Sequence, residues 1–105
     1  MTERISDLET ALEMLASARP EFWKLSHWGV TRFRRPAPAL VDRDAYTPTP
    51  NRIRVLLVAG LSGHPDDVSQ ARRALELFVS QARRVQDAIA LSAIPCGNPT
   101  AFLLY

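Results

Sequence analysis

The chain has 105 residues, 47% apolar and 23% charged, with a formal net charge of only +2. That is enough for one domain with a thin core, and it excludes a chain disordered throughout. Lys24 is the only lysine among 13 basic residues, and 11 acidic residues nearly balance them, so the field that draws polyanions is weak and nucleic acid is not an expected partner.

Ser6-Asp7-Leu8-Glu9 has the S-x-x-E form of a capping box. Behind it Leu8, Ala11, Leu12 and Leu15 recur at i, i+3, i+4 and i+7, one stripe of a helix expected over residues 7–18 and ended by Arg19-Pro20. Phe22, Trp23, Leu25 and Trp28 follow, then Gly29. Residues 30–35 and 37–42 read as two short extended stretches around Pro36, and 43–51, with Pro48 and Pro50, as a loop.

Residues 53–59 (IRVLLVA) form a near-continuous apolar run rich in β-branched residues, the pattern of a strand covered on both faces. The loop GLSGHPDD (60–67) leads into a helix expected over 68–83, with Val68, Ala71, Leu75, Phe78, Val79 and Ala82 on one face and Asp66 or Asp67 as N-cap. Arg72, Arg73, Arg83 and Arg84 fall on its solvated side. A second apolar strand, 88–94, ends in Pro95-Cys96-Gly97-Asn98-Pro99. Strand, helix and strand at this spacing predict a parallel βαβ unit. The fold class expected is therefore α/β: an N-terminal helix over about residues 1–20, then a mixed sheet. Ligands of such sheets bind beyond the carboxyl ends of the strands, between GLSGHPDD and PCGNP.

His64, Asp66 and Asp67 are the cluster there that can both bind a metal and move a proton. Zinc accepts an imidazole and a carboxylate in this arrangement, with His64 and Asp67 as ligands and Asp66 as the base acting on bound water. A catalytic zinc needs a third protein ligand, for which His27 and Cys96 are the other candidates by residue type. The alternative is structural: Asp66 and Asp67 cap the following helix, Pro65 sits in its first turn, and His64 bonds to the cap. Cys96 suits a small buried position better than a nucleophile, since no His–Asn or His–Asp pair is set up for it.

Three segments together resemble the zinc carboxypeptidase family, including its succinylglutamate-desuccinylase-like members. Gly29-Val30-Thr31-Arg32-Phe33-Arg34-Arg35-Pro36 looks like the family's G-x-S-x-x-G-R-P turn. The run 55–63 looks like the strand and loop that carry its G-x-H-G-[ND]-E motif, and Ile94 to Pro99 like its P-x-x-N-P-D-G turn. The resemblance covers about residues 29–99 and implies the N-terminal portion of a carboxypeptidase-like α/β domain, zinc as cofactor, and hydrolysis of a peptide or small amide substrate. The departures are specific. Ser62 stands where the zinc-binding His belongs, Pro65 where the Glu belongs, and Thr100 where the Asp after Asn98-Pro99 belongs. The family's third ligand, substrate-binding arginine and catalytic glutamate lie beyond residue 105. The resemblance thus implies an incomplete domain, inactive alone, with a partner chain or oligomer completing its core. A non-catalytic scaffold or interaction module is the alternative. His64-Pro65-Asp66-Asp67 also matches the H-P-D-D tetrad of zinc-dependent de-N-acetylases, where the His and second Asp bind zinc and the first Asp is the base.

Arg32, Phe33, Arg34 and Arg35 near Trp23 and Trp28 are read as outward arginines beside core aromatics rather than a nucleic-acid patch. Phe102-Leu103-Leu104-Tyr105 is expected to mark the point where a longer domain continues. One cysteine, no signal-peptide core and no apolar run near the roughly 20 residues that span a bilayer make a cytoplasmic location the expectation and a membrane partner unexpected.

Overall fold

An apolar stripe at helical spacing needs a sheet to lie on, and the chain supplies one from four strands. The computed structural model describes residues 4–31, 34–48 and 51–104. The elements run α1 (Ile5–Ala18), β1 (Trp23–Val30), β2 (Pro36–Asp42), β3 (Ile53–Val58), α2 (Pro65–Val79), α3 (Arg83–Ala88), β4 (Ile89–Ile94) and α4 (Pro99–Leu103). The sheet is mixed, in the order β1-β2-β4-β3. β1 and β2 are antiparallel, as are β2 and β4, while β3 and β4 are parallel from Ile53 beside Ile89 to Val58 beside Ile94. The expected α/β class and the parallel pair are both present.

Helix α1 starts earlier than the S-x-x-E pattern suggests. Its N-cap is Arg4, whose backbone N–H donates to Asp7 Oδ2 at 3.2 Å. This start brings Ile5 into the core with Leu8 and Leu12, while Ala11 and Leu15 are half-buried. Ser6 sits inside the helix, its carbonyl accepting the Thr10 hydroxyl. The helix ends at Ala18, where the Arg19 N–H returns to the Leu15 carbonyl and Pro20 blocks continuation.

The first strand is where the reading from residues departs most. The aromatic stretch itself is β1, and where an extended segment was expected after it the Thr31 N–H donates to the Arg35 carbonyl and the Arg34 N–H to the Thr31 carbonyl. Trp23 and Leu25 alternate towards α1, and Trp23 is anchored by its indole N–H donating to the Leu91 carbonyl at 2.8 Å. His27, on the same face, meets Glu9 of α1. The core forms between this sheet face and the helices: Leu8 and Leu12 of α1, Val68 and Leu75 of α2, Phe102 of α4, and Trp23, Leu40 and Ala93 of the sheet. Arg32 and Phe33 lie outside the described residues, as does Tyr105. Phe102 is buried in α4, so the C-terminal apolar segment packs as a short helix.

Two further corrections follow from packing. The helix expected over 68–83 is two helices, and the long one begins at Pro65 with His64 as N-cap in place of Asp66 or Asp67. It stops at Val79 because Gln86 of α3 is buried beneath its end, donating from Nε2 to the carbonyls of Val79 (2.8 Å) and Gln81 (2.9 Å). Ala82 is therefore exposed as the N-cap of α3, and Arg83 lies over the Phe22 ring and pairs with Glu21. β3, read as covered on both faces, is an edge strand: Ile53, Val55, Leu56 and Val58 are all exposed. Among the described residues, no helix packs on the second face of the sheet. That face forms a depression of about 370 Å³ lined by Ser26, Trp28, Val41, Leu56 and Ser92, with Tyr46 at its side.

Arg52, just before β3, is 9% exposed and spends its donors inside the protein. Nη1 reaches Asp42 (2.8 Å) and Asp44 (3.2 Å), Nη2 the carbonyls of Gln86 and Ile89, and Nε the carbonyl of Asp87. Its plane covers the Phe22 ring at 4.8 Å, a favourable cation–π position. Removing it strands Asp42, which is 2% exposed, as an unpaired buried charge. We expect Arg52→Ala to cost about 3–5 kcal/mol in urea unfolding. Arg52→Lys should recover little of this, because an ammonium cannot serve both carboxylates and three carbonyls.

Candidate functional site

The carboxyl ends of β3 and β4 bring GLSGHPDD and PCGNP together, as the topology requires. The loops are bonded directly to each other. The Gly97 N–H donates to the Ala59 carbonyl (2.7 Å), the Asn98 N–H to the Gly60 carbonyl (3.1 Å), and Asn98 Nδ2 to the Leu61 carbonyl (3.2 Å). Two glycines permit this approach. Gly60 (φ +64°) would place a Cβ 2.6 Å from the Pro95 carbonyl oxygen, and Gly63 (φ +77°) one 2.5 Å from Ala101 Cβ. Both the left-handed backbone and the closeness demand glycine. Asn98 then caps α4, its Oδ1 accepting from the Ala101 N–H at 3.2 Å.

Within this frame His64, Asp66 and Asp67 occupy the start of α2. The His64 ring accepts the Asp66 N–H on Nδ1 at 3.1 Å, the bond of an N-cap. Asp67 accepts the Ser62 hydroxyl, and Ser62 Oγ in turn accepts the His64 N–H at 3.1 Å. Asp66 projects outward, its side chain 83% exposed, with its carboxylate 3.8 Å from His64 Nδ1. Acidic residues in the first helical turn are favoured by the macrodipole whatever else they do. The three residues are thus neighbours; the His64 ring and the Asp67 carboxylate have capping or turn roles, while the Asp66 carboxylate lies outside them. His27 is elsewhere, at the α1–β1 contact with Glu9.

Among the described residues, no three His, Cys, Asp or Glu side chains gather where they could share a metal ion. The donor set offers one imidazole with its Nδ1 engaged and a carboxylate bound to a hydroxyl, whereas a catalytic zinc takes three protein ligands. These residues alone do not fit a zinc centre. Cys96 does not supply the missing ligand: it is fully buried in the core beside Gly60. Burial pushes its thiol up to about 11, against a smaller opposing effect of a hydrogen bond from the Asn98 backbone.

Reasoning from sequence missed the Arg52–Asp42 pair and the open face of the sheet. An arginine set between Pro50-Asn51 and the first residue of a strand carries no periodic signal of burial. The open face could not be read because the residues lining it are small or apolar and look like core.

No family model matches the sequence, and no curated protein matches it. Solved structures do. Carboxypeptidase A from Helicoverpa armigera superposes with a TM-score of 0.79 at 14% identity, covering 97% of this chain and 26% of that one. Bovine thrombin-activatable fibrinolysis inhibitor, solved with tick carboxypeptidase inhibitor, gives 0.75 at 9% identity, covering 97% and 33%. A metallo-carboxypeptidase from Burkholderia cenocepacia gives 0.69 at 16%, covering 90% and 27%. The fold is a partial metallocarboxypeptidase-like fold. The chain spans about a quarter to a third of the length of these three structures.

The turn between β1 and β2 shows how this chain handles the family-like motif. Thr31 stands at the motif's Ser and accepts the Arg35 N–H on Oγ1 at 3.1 Å. Arg34 stands at the motif's Gly and has φ +61°, the left-handed conformation that glycine adopts without penalty. We expect Arg34→Gly to raise stability by about 1 kcal/mol, read as an upward shift in urea midpoint with unchanged m-value.

The buried thiol gives a pH signature. The folded protein holds the Cys96 proton more tightly than the unfolded chain, whose thiol titrates near 9. Its contribution is complete below pH 9 and is lost as pH rises from 9 to 11, where the unfolded state binds fewer protons. Unfolding free energy measured across that window should fall by about 2–3 kcal/mol more than in Cys96→Ala. In native protein the thiol should react with a disulfide reagent only as fast as the chain opens.

Proposed function

We propose that this chain is a carboxypeptidase-like scaffold unit that belongs to metal-assisted hydrolysis of a peptide or small amide but does not carry that chemistry on its own residues. The observation that carries this reading is the loop at the end of β3, in which His64, Ser62 and Asp67 are bonded to each other and to the α2 backbone. The loop keeps the place and the glycines of a site at the sheet's carboxyl end while its donors are committed to capping. The chain's short span relative to the carboxypeptidases it superposes on supports the same reading, since further ligands would have to come from another polypeptide segment.

In this reading His64 and Asp67 are the residues that would offer a metal its first two donors, and Asp66 the carboxylate able to accept a proton from bound water. Zinc would supply the polarisation that turns water into a nucleophile near neutral pH. The de-N-acetylase-like tetrad is the weaker reading, because Gly60 to Gly63 separate it from the strand end and the fold is carboxypeptidase-like.

The test is zinc titration by calorimetry and metal analysis of the 105-residue chain, with His64→Ala alongside and a blocked dipeptide as hydrolysis substrate. The expected result is no stoichiometric zinc at micromolar concentrations and no hydrolysis. One equivalent bound below micromolar and lost in His64→Ala would overturn the proposal and establish a self-contained centre.

A further inference from the structure

We draw no further inference here: the strongest candidate, the apolar surface made by the exposed edge of β3 and the open sheet face beside it, carries nothing, because nothing in the structure shows what covers it.

Discussion

One guanidinium holds together the part of the sheet where local structure is weakest. Arg52 sits at the start of β3, where the end of β2, the α3–β4 junction and Phe22 ahead of β1 all converge. These segments are turns and strand ends, and their carbonyls have no ladder partner within their own elements. A buried arginine with its flat fork of donors satisfies several at once, which a point-charge ammonium could not. The desolvation of Arg52 is offset by Asp42 and Asp44 together with three carbonyls and a ring face, so no single contact carries the charge. Asp42 Oδ1 accepts both the guanidinium and the Asp44 N–H, while Oδ2 has no partner among the described residues. The carboxylate is thus held by one oxygen, which fixes its orientation and with it the turn after β2.

From that anchor the parallel pair and the helices follow with little ambiguity, and those are the elements that were legible in the residues. The runs 53–59 and 88–94 read as strands because they are apolar, partly β-branched, and bounded by turn-formers, and the strands lie at 53–58 and 89–94. The stripes Leu8-Leu12 and Val68-Ala71-Leu75 read as helix faces because their spacing admits one packing surface. β1 was not legible as a strand, because Trp23, His27, Trp28 and Gly29 have no strict alternation and few β-branched members. Its extended state is imposed by pairing with β2 and by the Trp23 indole bond to Leu91, both long-range. The break between α2 and α3 was hidden for a similar reason: local propensity favours continuation, and Gln86 caps the end from below.

The site was legible in position and illegible in state. Spacing alone places His64, Asp66 and Asp67 at the carboxyl end of β3, and the structure puts them there. But an imidazole three residues before a carboxylate at a helix start is as compatible with an N-cap as with a ligand pair. Hydrogen bonds decide between these, and they are set by the glycines rather than by the polar residues. With Gly60 and Gly63 in left-handed conformations, the loop turns so that Ser62 meets Asp67 and the His64 ring faces the Asp66 N–H. A metal competing for these donors would have to displace bonds that begin α2, so metal binding and helix initiation draw on the same atoms.

The same logic of shared groups applies to the apolar edge. An apolar run of six residues cannot announce whether both of its neighbours are present, since burial on two faces and exposure on two faces require the same side chains. What separates the cases is what covers the strand. In this sheet β4 covers one side, α2 and its neighbours one face, and nothing described covers the rest. Leaving Leu56 and Val58 in water forgoes stabilisation of about 25 cal/mol for each Å² of apolar surface that could be buried. A domain this size, whose core is thin to begin with, has little other area from which to recover it. The composition of β3 therefore speaks of neighbours as much as of folding: five apolar residues in an exposed edge strand suit a sheet wider than the four strands described here.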